Sequence, residues 1–188
     1  SHPPAPSQLV ESRDQFVGVG DAYAAALFTR LLSERGRQNL LRADTHMSFS
    51  DLRSSPSVLI GAYSNRWTMQ SNAEYRFGFG RFAVVDHQDP KRVWKLSRIS
   101  QDYKSTEDYA IVSRVLKSYS GEAVVTAAGV TNMGTHAAAE FLTNPEYLNA
   151  ALAAAPEGWE RKNLQIVVYC KVIGNTPGPP RVVATHFW

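Results

Sequence analysis

The chain has 188 residues, 44% hydrophobic and 20% charged, which is enough apolar material for one sizeable core and argues against disorder beyond the ends. A net charge of +3 and a pI near 9.1 permit an acidic partner without requiring one, and no apolar run approaches the ~18 residues of a membrane span. The one cysteine, Cys170 in "QIVVYCKVI", excludes an internal disulfide and a Cys-based zinc site and reads as a small buried residue rather than a nucleophile.

The opening "SHPPAPSQ" is rich in Pro and Ser, so residues 1–14 read as a linker or start segment and 15–188 as a single domain. With no initiator Met, the chain reads as a piece of a longer protein. It shows no signal peptide, and its compartment is not legible. "QFVGVGD" (15–21) predicts a strand ending in Asp21. A helix follows in which Ala24, Leu27, Phe28 and Leu31 share a buried face and Gly36 is the C-cap. "NLLRADT" (39–45) predicts a second strand. "SFSD" has capping-box spacing and predicts a short helix from Ser48 to about Ser54. "SVLIGAY" (57–63) predicts a third strand and "NRWTMQS" (65–71) a further helix. Residues 74–86 and 92–98 are β-type runs. Residues 108–130 read as two strands around Ser120-Gly121, with a helix as the alternative for 108–117. An alanine-rich helix follows Thr135, and Asn144-Pro145 supplies a new N-cap and N1. Residues 163–173 and 181–188 make a hairpin across "GNTPGPP".

The β-α-β-α-β rhythm of the first half predicts parallel strands. The expected fold is one three-layer, Rossmann-like α/β domain. Its mixed sheet has a parallel N-terminal βαβαβ core and antiparallel C-terminal additions. "FSDLRSSPSVLIGAYSNRWT", "AGVTNMGTHAAAEFLTNPEYL" and "NLQIVVYCKVIGNTPGPPRVVATHFW" resemble the C-terminal domain of bacterial proteins of the acidobacterial type. The resemblance covers nearly all of 15–188. It implies a preceding N-terminal region and no established activity, and it assigns no catalytic residue.

In open α/β sheets ligands bind beyond the carboxyl ends of the strands. The expected strand ends carry Asp21, then Asp44 and His46, then Asn65 and Arg66. The loop "GVTNMGTH" adds Thr131, Asn132, Gly134, Thr135 and His136. Polar loops fed by apolar strands describe a crevice with convergent hydrogen-bonding groups. Several of these residues are equally good helix caps. Arg66 is expected at the rim, reading a carboxylate or phosphate, with a surface ion pair or a stack on Trp67 as the alternative. The loop before the alanine-rich helix is expected to accommodate an anion on free N–H groups. In the competing arrangement Asp21 or Asp44 supplies that negative charge internally.

Other signatures argue against specific chemistries. Gly18-Val19-Gly20 lacks the third glycine of a dinucleotide fingerprint, since Tyr23 stands there. "GVTNMGTH" lacks the P-loop lysine. The five histidines have no metal spacing, so no metal and no cofactor are expected. Glu107 and Asp108 point to opposite faces of a strand and cannot work as an acid–base pair. Basic and aromatic residues alternate over 74–98, as in an amphipathic strand, so the nucleic-acid signal is weak. The best-supported role is a non-catalytic ligand-binding or sensory domain of a larger protein, holding a small polar or anionic ligand. The alternatives are a hydrolase or transferase using Asp21 with His46 or His136, and a protein-interaction module. Oligomeric state is not legible.

Overall fold

The computed structural model describes residues 17–100 and 104–188. The expected linker, 1–14, lies outside the described residues, as do the first two positions of the expected opening strand. The centre is a six-stranded mixed sheet. It is built from β1 (Ser57–Ile60), β5 (Glu107–Val115), β6 (Val124–Gly129), β7 (Leu164–Ile173), β8 (Thr176–Pro177) and β9 (Arg181–Phe187). The order is β1-β6-β5-β7, with β8 and β9 both on β7. Among the described strands of this sheet, β1 and β6 run parallel and the other pairs are antiparallel. A second, antiparallel sheet is made of β2 (Phe77–Gly80), β3 (Ala83–Asp86) and β4 (Val93–Lys95).

The parallel βαβαβ core is not formed. Residues 17 and 18 are coil, and α1 (Val19–Glu34) begins inside the expected first strand. Residues 39–45 make no strand and end in a 3-10 turn, Asp44–His46. The reason for the first is steric. A Cβ on Gly20 would stand 1.7 Å from the Asn132 carbonyl oxygen, so this stretch packs as a helix end against another helix. In α1, Ala24 and Phe28 are buried as expected, while Leu27 and Leu31 are half-buried.

The later elements follow their patterns. The capping box of Ser48 and Asp51 starts α2 (Phe49–Leu52), and Asn65 caps α3 (Arg66–Asn72). Of residues 108–117, those up to Val115 are strand, in β5, because both faces of the run are buried. The alanine-rich helix α4 (Asn132–Thr143) begins four residues earlier than expected, with Thr131 rather than Thr135 as N-cap. Asn144 and Pro145 open α5 (Pro145–Leu152). Ala110, Val112, Ala127, Ile166 and Val168 face α1 and α4. Ile111, Val130, Val167 and Ala184 face Phe77 and Val84 of the small sheet. Ala137, Ala138 and Ala139 carry so little side chain that α4 lies close on β5 and β6, fully buried along that face.

Candidate functional site

The carboxyl ends of β1 and β6, the amino end of β5 and the starts of α1, α3 and α4 meet at one end of the molecule. The deepest group there is Asp108. It shares the helix-facing side of β5 with Ala110 and Val112, opposite Cys170, and is fully buried. Its carboxylate accepts the backbone N–H of Thr131 at 3.1 Å, the Thr131 hydroxyl, and the N–H of Gly134 at 2.6 Å. It also accepts the N–H of Tyr109 at 2.8 Å. The close approach needs glycine, since a Cβ on Gly134 would lie 2.9 Å from the Asp108 carboxyl carbon. Burial pushes the Asp108 pKa up to about 7, and the hydrogen bonds from Thr131, Gly134 and Tyr109 hold it from rising further. The same burial, with Asp108 beside it, pushes the Cys170 thiol up to about 12, so Cys170 is an inert core residue.

The first turn of α4 is therefore filled from within the protein, by neither Asp21 nor Asp44 but by Asp108. The sequence signal for this was available. An acid stood at an inward position of a strand otherwise apolar on that face, and a buried charge needs donors.

Asp21 occupies the mouth of the same end. It sits in the first turn of α1, which has no side-chain cap. Its carboxylate accepts the Ser64 hydroxyl at 3.2 Å and also bonds the Thr135 hydroxyl. Gly61, at φ +85°, lets the chain pass beside it; a Cβ there would lie 3.3 Å from a carboxylate oxygen. Burial raises the Asp21 pKa, and the bonds from Ser64 and Thr135 oppose that. Thr135 is buried and also accepts the Gly129 N–H at 3.1 Å. Asn132 is exposed, with its backbone against Gly20.

The remaining expected residues are engaged in holding the fold. Asn65 accepts the N–H groups of Trp67 and Thr68 and donates to the Ile60 carbonyl. Asp44 accepts the Arg66 N–H at 3.2 Å. The Arg66 guanidinium donates to the carbonyls of Asp44 and Met47 and lies 4.8 Å over the Trp67 ring. Asp44 and Arg66 thus bind each other's segment and stand apart from the Asp21 cluster. His136 stacks on Tyr23 at 4.7 Å, and burial lowers its pKa while Glu140 raises it. His46 is exposed.

Among the described residues no histidine ring is hydrogen-bonded to a carboxylate, a serine or the cysteine; His87 bonds the Tyr75 carbonyl. Among those residues, too, no His, Cys, Asp and Glu side chains group to hold a metal, and no helix is long and apolar enough to cross a membrane. Two basic residues around the small sheet turn onto a buried acid, while Arg81, Lys91 and Lys95 are exposed. Arg76 forks onto buried Asp86 at 3.0 and 2.9 Å, and Arg92 approaches it at 3.5 Å. Phe77 is buried against Trp94. Two surface concavities lie elsewhere. One of about 270 Å³ is lined by Phe141, Tyr147 and Val182, and one of about 620 Å³ by Thr29, Ser33, Arg37 and Asn39. No protein-family model, curated protein or solved structure matches the chain.

Proposed function

We propose that this chain is a non-catalytic ligand-binding or sensory domain of a larger bacterial protein, akin to the C-terminal domain of the acidobacterial-type proteins it resembles. We propose further that its ligand is a small polar molecule that donates a hydrogen bond to Asp21. One observation carries the reading. Asp21 is a half-buried carboxylate at the mouth of the crevice, held by two hydroxyls and by no cation, in a first helical turn without another cap. A desolvated carboxylate gains from a donor brought by a partner. An anionic ligand is disfavoured, because Asp108 already takes the N–H groups at the start of α4. The absence of a carboxylate–histidine or serine–histidine bond among the described residues supports binding over hydrolysis or transfer.

An interaction module is the second reading, favoured by the outer face of α1, where Val19 and Tyr23 are 62% and 55% exposed. Amide NMR titrations with methylammonium, glycerol and inorganic phosphate test the proposal. Shifts at residues 20–22 and 63–65 with methylammonium or glycerol, lost in Asp21→Asn, are expected. Shifts confined to 131–138 with phosphate would overturn the donor assignment. No shift with any probe up to tens of millimolar would leave the interaction reading.

A further inference from the structure

Between α1 and the 3-10 turn the chain runs from Arg37 to Ala43 without a turn or bend, exposed throughout. Leu40 and Leu41 are 73% and 68% exposed, the former as exposed as any large hydrophobic residue described. The Arg37 N–H still bonds Leu32, and the Ala43 carbonyl still accepts from His46. Between them, residues 38–42 neither donate nor accept a backbone hydrogen bond. The sequence here has strand character, but among the described residues no strand lies beside it. Among the described residues Arg35 and Arg37 have no acidic partner, and Arg42 pairs with half-buried Asp51 at 3.2 Å. The concavity of about 620 Å³, lined in part by Arg37, Gln38 and Asn39, opens alongside.

We infer that residues 38–42 are a docking strip for an extended peptide, a pair of adjacent apolar residues flanked by acidic ones, that adds to them as a β-strand. Strand addition satisfies the open backbone groups, which is where its affinity comes from. Successive side chains of an extended chain point to opposite faces, so Leu40 and Leu41 would contact the partner's apolar residues from two sides. That geometry also argues against a lipid surface, which can accept only one face. A second copy would bring the same arginines against each other, so charge complementarity selects an acidic partner.

The probe is a short synthetic peptide with two adjacent valines flanked by glutamates, and the control carries lysines in place of the glutamates. Isothermal titration and amide hydrogen exchange are measured on the whole chain. The acidic peptide is expected to bind and to slow exchange at residues 38–42. Arg37→Glu is expected to weaken binding about tenfold, equivalent to about 1.4 kcal/mol, and Leu41→Ser to weaken it in the same direction. Both side chains are exposed, so circular dichroism should be unchanged. Equal binding of the two peptides, or binding without protection at 38–42, would overturn the inference. So would sedimentation with phosphatidylglycerol vesicles in place of peptide binding, or dimerisation lost in Leu41→Ser.

Discussion

The starts of α1 and α4 lie against each other, with Gly20 touching the Asn132 backbone, yet they are completed in different ways. The start of α4 has a threonine cap and, beneath it, an acid delivered from β5. The start of α1 has a glycine at its N-cap, no side-chain cap, and its own acid turned sideways onto two hydroxyls. Both arrangements place negative charge near a helix N-terminus, which the helix dipole favours. They differ in what is left over. Asp108 is enclosed on all sides and has nothing to offer a visitor. Asp21 is partly desolvated but still open to one. A closed acid belongs to the fold, and an open one is available for recognition.

The sharpest way to break this comparison is to remove each acid. Asp108→Ala strands the N–H groups of Thr131 and Gly134 under a buried helix and is expected to cost about 3–5 kcal/mol in denaturant melts. Asp21→Ala is expected to cost about 1 kcal/mol, because Ser64 reaches water and buried Thr135 keeps the Gly129 N–H. Equal costs would mean that the two acids play the same part. Asp108 also sets a pH response. Its folded pKa, about 7, lies above the ordinary carboxylate value near 3.9, so between about pH 4 and 7 the folded state keeps a proton that the unfolded chain has lost. Stability is therefore expected to fall as pH rises through that window. Asp108→Asn is expected to flatten the slope.

A smaller effect is expected where the two helices touch. Alanine is favoured over glycine in a helix by about 1 kcal/mol. At Gly20 the added Cβ meets a carbonyl oxygen at 1.7 Å, and backbone cannot move aside cheaply, so Gly20→Ala is expected to lose about 2–3 kcal/mol net. Gly18→Ala, whose nearest contact is the Asp21 side chain at 3.2 Å, is expected to change stability by less than about 1 kcal/mol. Thermal melts of the pair test whether the α1–α4 contact is as tight as it looks.

The sequence was legible where strands pair with near neighbours. The run 108–130, the hairpin of β7 and β9, and the Asn144-Pro145 break all follow from alternation and turn chemistry. It misled where the pattern was satisfied by something other than a sheet. "QFVGVGD" has the apolar residues of a strand, but Gly20 is spent on a helix–helix contact. "NLLRADT" has them too, yet lies exposed. At the candidate site, polar residues near strand ends were found and their roles were not. Asn65, Asp44 and Arg66 cap or pin their own loops, which local sequence does not distinguish from lining a crevice. Asp108 was read as one of an adjacent pair and set aside, although the alternation that separates it from Glu107 also turns it inward.

The mildest change isolates the open acid. Ser64 is exposed, and its hydroxyl touches only the Asp21 carboxylate, at 3.2 Å. Ser64→Ala leaves no buried group unpaired, so its cost in stability is expected to be below about 0.5 kcal/mol. Its effect on Asp21 is expected to be plain. Burial raises the Asp21 pKa and the Ser64 hydroxyl opposes that, so removing the hydroxyl moves the pKa further up. Carboxyl carbon chemical shifts followed through a pH titration read this directly. An upward move at Asp21 with Asp108 unchanged is the expected result, since Asp108 draws its donors from Thr131, Gly134 and Tyr109 alone. A parallel move at Asp108 would mean the two acids titrate as one unit, and the distinction between a closed and an open helix start would fail.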